Sequence, residues 1–213
     1  MIVNNRHEGS ASHHEEVVGV VLAAGFSHRF GPQDKRLAPL PDGQLLLASI
    51  VSQASKAFTP LRVVLRSDDE TAALGLPHAT PVLRVHNAEA GLGASLAEAI
   101  GLLEKDDALR QVNAAAILLG DMPSIRLETF HMLQRQAGQS RIVRPSHAGR
   151  PGHPVIIGRD FWPELRALQG DEGGKSVIQR HRDRYHEILV DDVGIHVDID
   201  LLEDLLKPRM PLP

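Results

Sequence analysis

Residues 19–37 read GVVLAAGFSHRFGPQDKRL, and this stretch decides the fold. Its apolar start predicts a buried strand over 17–22. The strand leads into Ala23, Ala24 and Gly25, whose small side chains leave backbone N–H groups open to a ligand. Three basic residues follow in the loop: Arg29, Lys35 and Arg36. Small residues, backbone donors and cations together suit a polyphosphate.

An ordinary turn between a strand and a helix is the alternative for this loop. The loop lacks the Gly-Lys-Ser/Thr sequence of a Walker A motif, and it lacks the glycine spacing of a dinucleotide-binding fingerprint. Composition alone therefore leaves both interpretations open, and further evidence has to come from the rest of the chain.

Composition places the chain among ordinary globular proteins. Its 213 residues suit one domain, with 42% apolar and 23% charged residues. A net charge of −4 gives no general attraction to nucleic acid or to an anionic membrane, and 3% aromatic residues offer few stacking platforms for bases. The absence of cysteine excludes disulfides, zinc–thiolate sites and thiol nucleophiles. We therefore predict a cytoplasmic protein without nucleic-acid or membrane partners.

Beyond the first strand, the pattern alternates between strands and helices. Further strands are predicted at 61–65, 82–85, 114–119, 142–144, 154–157, 187–190 and 195–197. Helices are predicted at 45–57, 68–74, 95–103, 127–137, 161–168, 175–182 and 201–205. This alternation is typical of an α/β protein with a mostly parallel sheet covered on both faces. A single domain is predicted at 17–207, between disordered tails at 1–16 and 208–213.

In such a sheet the ligand site lies at the carboxyl ends of the strands, so the loops after Leu22, Val85 and Leu119 should share one edge. The motif LLGDMP places Asp121 on that edge. A carboxylate there is suited to Mg²⁺, which takes one or two carboxylates together with phosphate oxygens. The alternative is that Asp121 caps the next helix, although Ser124 could do so as well.

Gly91 and Gly93 stand just before the helix predicted at 95–103, and backbone amides here could contact a base or a ribose. Ser95 and Glu98 also fit an ordinary helix start, in which their side chains form a capping box. The capping box accounts for the serine and the glutamate but leaves the two glycines unexplained.

Two motifs nearer the end of the chain add further candidates. In GRPGHPVII, Arg150 and His153 lie in a Gly-Pro loop that could shape a pocket for a second substrate, although a lone histidine is more often structural. In HVDIDLLEDL, Asp198 and Asp200 share one face of an extended segment, so either could give the metal a second oxygen ligand. We predict Asp198 as that ligand and Asp200 as the cap of the last helix, with Glu203 completing a capping box.

Five motifs, in order along the chain, resemble the signatures of the nucleotidyltransferases that activate the molybdenum cofactor. They are LAAGFSHRFGPQDKRL, GLGASL, LGDMP, GRPGHPV and VDIDLLEDL. The resemblance implies a Rossmann-like α/β/α fold, of the nucleotide-diphospho-sugar transferase type, that uses a nucleoside triphosphate and Mg²⁺. The LAAG form is similar to molybdopterin cytidylyltransferases, which use CTP, whereas guanylyltransferases usually read LAGG. The chain departs from the pattern at Leu201 and Leu202, where Thr-Pro is usual.

The resemblance also implies a reaction, in which a phosphate of molybdopterin attacks the α-phosphate of CTP, CMP is transferred and pyrophosphate leaves. The implied catalytic residues are Arg29, Lys35 and Asp121, and the implied metal ligands are Asp121 and Asp198. The implied nucleotide-binding residues are Leu22, Ala23, Ala24, Gly25, Arg29, Lys35, Gly91, Gly93 and Ser95. Arg150 and His153 are implied to bind the acceptor, in a subregion spanning about 140–190. The resemblance assigns no role to Arg36.

Two alternatives stay open beside this reaction. The protein could be a guanylyltransferase, or another cytidylyltransferase acting on a different phosphorylated acceptor. It could instead be a non-catalytic chaperone that binds the cofactor and keeps the fold, and release of pyrophosphate would separate an enzyme from such a chaperone. The partners implied for the enzyme are CTP, a molybdopterin-type acceptor and a molybdoenzyme that receives the finished cofactor.

Overall fold

The computed structural model describes residues 16–27 and 30–206. Nearly all of both predicted tails lies outside the described residues, as does Arg29, one of the predicted phosphate ligands. The domain boundaries at 17 and 207 stay a prediction.

Eight strands of the described residues form one sheet. They are β1 (Val17–Leu22), β2 (Leu61–Arg66), β3 (Val82–Val85), β4 (Ala114–Leu119), β5 (Ile142–His147), β6 (Arg150–Pro151), β7 (Val155–Gly158) and β8 (Tyr185–Leu189). The parallel strands β3, β2, β1 and β4 lie side by side in that order, and β7 joins β4 in antiparallel orientation. β5 is antiparallel to β6 and β7 and parallel to β8. The predicted mostly parallel sheet is confirmed.

Helices cover both faces of this sheet. In the described residues they are α1 (Leu46–Ala57), α2 (Leu92–Leu103), α3 (Leu127–Gln134), α4 (Trp162–Arg166) and α5 (Lys175–Arg180). Residues of α1 and α3 are buried in one hydrophobic core, and residues of α2, α4 and α5 in another. The predicted three-layer α/β/α arrangement is therefore confirmed. α1 and α2 have 12 residues each, and no helix in the described part of the chain is long and apolar enough to cross a membrane.

Strand β1 shows why both faces must be covered. Val17 and Val21 belong to one core, whereas Val18 and Val20 belong to the other, and all residues of the strand are buried. Successive residues of a strand face opposite sides, so a continuous apolar run needs a core on each side. Because β2 and β4 flank β1, the loop that follows β1 begins between two other strands at the carboxyl edge of the sheet.

The helix predicted at 68–74 is wrong, because this segment forms turns. The carboxylate of Asp69 accepts the backbone N–H of Arg66 and binds the guanidinium of Arg36, which lies 33 residues earlier in the chain. A side chain that binds nearby backbone in this way competes with helix formation. The spacing of apolar residues cannot report such a contact.

The strand predicted at 195–197 is also wrong. Most of it belongs to a 3₁₀ helix, Val193–His196, which starts where the Asp192 carboxylate accepts the N–H of Gly194 at 2.9 Å. The closing helix is a 3₁₀ helix as well, Leu202–Leu206. Both segments are short, and short segments carry too few residues to separate one period from another.

Candidate functional site

The loops that follow β1, β3 and β4 enclose a cavity of about 440 Å³ at the carboxyl edge of the sheet. This arrangement confirms that the loops after the three strands share one edge. The predicted site residues that line the cavity are Leu22, Ala23, Ala24, Gly25, Lys35, Gly91, Ser95 and Asp121. Asp171 and Asp200, which were not predicted as part of this group, line it too.

The backbone after β1 offers two N–H donors to this cavity instead of the predicted three. The N–H of Ala23 donates to a carbonyl of β2 at 3.0 Å, so it is not available to a phosphate. The N–H groups of Ala24 and Gly25 have no acceptor among the described residues. Gly120 packs closely behind the loop, since its own N–H donates to the Leu22 carbonyl at 2.9 Å. The packing of the strand ends thus fixes where the two remaining donors stand.

Lys35 connects the loop after β1 with two carboxylates of the cavity. Its Nζ lies 2.8 Å from Asp121 Oδ2 and 3.5 Å from Asp200 Oδ1. The Lys35 side chain is only 8% exposed, against 24% for Asp121 and 32% for Asp200. Burying an ammonium costs free energy unless it is paired in this way. We call these three side chains the charged triad.

The charged triad has the donors that a hard divalent cation requires. Asp121 Oδ1 is buried and has no hydrogen-bond partner, so a ligand oxygen is ready on the protein. Asp200 supplies a second carboxylate on the same lysine. In the part of the chain that is described, no cluster of three or more His, Cys, Asp or Glu side chains could hold an ion. Since Mg²⁺ needs only one or two carboxylates when phosphate oxygens complete its shell, the pair fits a metal that binds together with a triphosphate.

The structure does not bring Asp198, the predicted second metal ligand, to the charged triad. Asp198 is exposed and does not line the cavity, whereas Asp200 does. The predicted cap is reversed as well, because the Asp204 carboxylate accepts the N–H groups of Asp200 and Leu201, at 2.9 and 2.7 Å. Two aspartates that look equivalent in the sequence are thus separated by the turn in which they lie.

Helix α2 begins at Leu92, three residues before its predicted start, and its first N–H groups bind the segment at 169–174. The Leu92 N–H donates to Asp171 Oδ1 at 3.1 Å, and the Gly93 N–H donates to the Gly170 carbonyl at 2.7 Å. The Gly93 amide is therefore taken by the protein, and Gly93 does not line the cavity. Its predicted contact with the nucleotide is not supported.

The alternative interpretation of Ser95 and Glu98, as a capping box, is wrong. The N-cap position is Gly91, and the Glu98 carboxylate accepts the N–H groups of His86 and Asn87 instead. Ser95 lies in the first turns of the helix and lines the cavity. The sequence pattern was a valid cap signature, but contacts from a distant segment decided where the helix starts.

We expect Gly91→Ala to destabilise the fold. Gly91 has a φ of 111°, a region that favours glycine, and a Cβ on it would overlap the Asp171 carboxylate. Such strain costs on the order of 1–3 kcal/mol, which should lower the midpoint of thermal unfolding by several degrees. Gly101→Ala is the matched control in the same helix, because nothing lies within 4 Å of its Cβ position. The control should be slightly stabilising, and equal stability of the two variants would contradict the strain.

A second cavity, of about 430 Å³, adjoins the first. Its wall is mostly apolar, and its charged or titratable residues are Arg144, His153, Asp171, Glu172 and Lys175. The predicted acceptor residue His153 therefore lies beside the first cavity, where a second substrate could meet the first. Arg150, which was predicted with it, is exposed on β6 and does not line either cavity.

His153 is uncharged at neutral pH. Burial lowers the pKa of His153 to about 4, the Arg144 guanidinium adds to this effect and the Asp198 carboxylate opposes it. Its Nδ1 is buried without a hydrogen-bond partner. An uncharged imidazole can donate one hydrogen bond and accept another, but it brings no charge to a phosphate. Positive charge in the second cavity comes from Arg144 and Lys175.

Residues 19–185 match the family model of the MobA-like NTP transferase domain, which is more than half of the chain. The chain belongs to the MobA-like NTP transferases. It is therefore a nucleotidyltransferase, and the predicted family and enzyme class are confirmed.

Known proteins resemble the chain over most of its length. A molybdenum cofactor guanylyltransferase of Mesorhizobium japonicum is 30% identical in an alignment of 177 positions that covers 78% of this chain and 80% of that protein. The crystal structure of an Rv0371c homologue from Mycobacterium sp. strain JC1 is 31% identical, with a TM-score of 0.76, over 90% of this chain and 93% of that one. The structure of Mycobacterium tuberculosis Rv0371c in complex with manganese is 25% identical, with a TM-score of 0.72, over 91% of this chain and 99% of that one.

Four charged residues of the second cavity in this MobA-like chain were not predicted from the sequence: Arg144, Asp171, Glu172 and Lys175. Arg144 lies within β5, and Asp171 and Lys175 lie in or beside the glycine-rich segment before α5. One signal was available, because GDEGGK at 170–175 places charges between glycines. No signal marked Arg144, since an arginine inside a strand is ordinarily a solvated side chain.

Proposed function

We propose that this protein transfers CMP from CTP to the phosphate of a molybdopterin-type acceptor, with a divalent cation and with release of pyrophosphate. The charged triad carries this proposal: a cation and two carboxylates lie at a cavity on the carboxyl edge of the sheet, beside the backbone donors of the loop after β1. Such a site can bind a polyphosphate and a metal ion together. Membership of the MobA-like family supports the reaction class.

In this transfer the protein mainly positions the two substrates and neutralises the charge of their phosphates. An oxygen of the acceptor phosphate attacks the α-phosphate in line, and the bond to pyrophosphate breaks as the new P–O bond forms. In this proposal the N–H groups of Ala24 and Gly25 hold the triphosphate, and Lys35 neutralises the charge that develops on the leaving pyrophosphate. Arg29, outside the described residues, is proposed to share that task.

Asp121 and Asp200 are the proposed metal ligands, with Asp200 in the place first predicted for Asp198. A divalent cation held there would neutralise phosphate charge and keep the reacting groups aligned. The unpaired Oδ1 of Asp121 supports this assignment. The manganese complex of Rv0371c supports a divalent cation, and we propose Mg²⁺ as the ion used.

Asp200→Asn should weaken Mn²⁺ binding by about tenfold, because one of two carboxylates is lost. Asp198→Asn should change it by less than about twofold, since Asp198 lies outside the triphosphate cavity. Titration of each variant with Mn²⁺, with and without CTP, followed by the electron paramagnetic resonance of free Mn²⁺, measures both. The opposite order of effects would restore Asp198 as the ligand.

The second cavity is proposed to bind the acceptor. It adjoins the triphosphate cavity, its wall is mostly apolar, and Arg144 and Lys175 bring positive charge for a phosphate group. His153 is proposed to contact the acceptor as an uncharged imidazole. Arg150 stays a proposal of the sequence analysis. A molybdoenzyme that receives the product and a cytoplasmic location also stay predictions.

Two observations favour different bases. Ala24 is 2% exposed and lines the cavity, so its methyl group takes space that a larger base would need, which supports CTP. The relative from Mesorhizobium japonicum is a guanylyltransferase, which supports GTP. We propose CTP as the donor and keep GTP as the second candidate.

A thermal-shift panel of CTP, GTP, ATP and UTP with Mg²⁺ identifies the donor, because a ligand bound by the native state raises its apparent stability. Pyrophosphate release with and without molybdopterin then tests the transfer. The largest shift with CTP, together with release that depends on the acceptor, supports the proposal. The largest shift with GTP selects the second candidate, and no release from any of the four overturns the proposed transfer.

A further inference from the structure

Arg36 follows Lys35 directly, yet it binds an entirely different set of groups and is only 4% exposed. Its Nε donates to Asp34 at 2.9 Å, and its Nη2 donates to Asp34 and Asp69, both at 2.7 Å. Its Nη1 donates to Asp69 at 2.5 Å and to the carbonyl of Ala23 at 2.9 Å. A guanidinium has five N–H donors, and all five are used.

These contacts exclude Arg36 as a phosphate ligand. It has no donor left for a substrate oxygen, and its charge is balanced in a cluster in which Arg36 and Arg66 share the carboxylates of Asp34 and Asp69. The one neutral partner, the Ala23 carbonyl, belongs to the loop after β1. Arg36 also lines the cavity, but with every donor taken it acts on the proposed triphosphate site through the backbone.

The bond to Ala23 sets the orientation of the next peptide group. In a trans peptide the C=O and N–H point to opposite sides, so a carbonyl turned toward Arg36 turns the N–H of Ala24 away from it. The N–H of Ala23 is held as well, by a carbonyl of β2 at 3.0 Å. With both polar groups of this residue bound, the following N–H has one fixed orientation before any ligand arrives.

The other partners make Arg36 a rigid anchor. Asp34 lies in the same loop, and Asp69 lies in the turn after β2, where it is 7% exposed and also binds Arg66. The guanidinium thus joins the loop, the turn and the backbone of Ala23. A lysine could not do this, because an ammonium has three donors and no planar fork.

We propose that Arg36 is a positioning residue that holds the N–H group of Ala24 in place for the triphosphate. The inference rests on the proposed function, since it takes the loop after β1 as the triphosphate site. When the donors are oriented before the ligand arrives, binding costs less free energy for ordering them.

The test compares Arg36→Lys with Arg62→Lys as a matched control. Arg62 binds the Asp106 carboxylate through Nε and Nη2 and a backbone carbonyl through Nη1, but it lies at the opposite end of β2 and lines neither cavity. The probe is inorganic tripolyphosphate with Mg²⁺, measured by titration calorimetry at a temperature where both variants are folded. A hydrogen bond to a charged group changes a binding constant by a factor of roughly ten or more. Arg36→Lys should therefore weaken binding of tripolyphosphate by at least about tenfold. Arg62→Lys should change it by less than about twofold.

Equal changes in the two variants would overturn the proposal, since Arg36 would then only stabilise the fold. Wild-type affinity in Arg36→Lys would overturn it too. If Arg36→Lys does not fold, the double variant Arg36→Met with Asp69→Asn removes the buried charge together with a partner and is held to the same prediction. If the wild-type protein binds tripolyphosphate and the Arg36 variants bind it equally well, the result counts against Arg36 alone. If the wild-type protein binds neither tripolyphosphate nor any nucleotide, the proposed function is overturned as well.

Discussion

Asp121→Asn is expected to lower metal-dependent pyrophosphate release by at least about a hundredfold. Asn keeps the shape of the side chain and can still accept the hydrogen bond from Lys35, which is 2.8 Å long in the native protein. It loses the negative charge that attracts a divalent cation, and with it the ligand oxygen that stands unpaired at Oδ1. Steady-state pyrophosphate release over a range of Mg²⁺ and Mn²⁺ concentrations measures the effect.

Asp106→Asn is the matched control for that experiment. Asp106 is 26% exposed, against 24% for Asp121, and it pairs with Arg62 at 2.5 Å outside both cavities. The hydrogen bond from Arg62 also holds the pKa of Asp106 below its usual value. The control should keep its transfer rate. Wild-type turnover in a folded Asp121→Asn protein would remove Asp121 from the reaction, and equal losses in both variants would indicate a general effect on the fold.

Lys35→Met is expected to lower the transfer rate by about two orders of magnitude and to weaken binding of the triphosphate. Without the ammonium, Asp121 and Asp200 face the cavity as two carboxylates that repel a polyphosphate. The same loss should strengthen binding of Mn²⁺ alone, because the ion no longer competes with an ammonium for Asp121. The measurements are kcat and KM for the nucleotide, and a Mn²⁺ titration without nucleotide.

Lys35→Arg is the conservative control for that variant, because it keeps the positive charge. It should retain part of the activity, although a side chain that is 8% exposed leaves little room for a larger head group. An unchanged rate in Lys35→Met would refute its role on the phosphates. A loss of affinity for both the metal and the triphosphate, with a lower unfolding temperature, would show that the site itself has collapsed.

Strand β1 and the loop after it could be predicted from the sequence because their signals are local. A continuous apolar run needs a core on each face, whatever the rest of the chain does, and small residues after it expose the backbone. The edge rule for parallel strands then placed Asp121 and Gly91 with this loop, and the cavity contains both. The five motifs added the family, which the comparison confirms.

The start of α2 and the placement of Asp200 could not be predicted in the same way. The amino end of α2 is set by Asp171, which lies 79 residues beyond the N–H that it binds. Asp198 and Asp200 fit the metal motif equally well, and only the turn closed by Asp204 brings one of them to Lys35. Contacts between distant polar groups leave no period in a sequence.

Lys35 and Arg36 show the same division within two adjacent residues. The sequence by itself determined the fold and the edge of the sheet on which the site lies, and it shows that two cations follow β1. Only the tertiary structure decided their roles: Asp121 and Asp200 hold Lys35 at the cavity, whereas Asp34 and Asp69 take up the charge of its neighbour. The physical reason is that the role of a buried charged side chain depends on the partners that surround it, and most of those partners come from other parts of the chain.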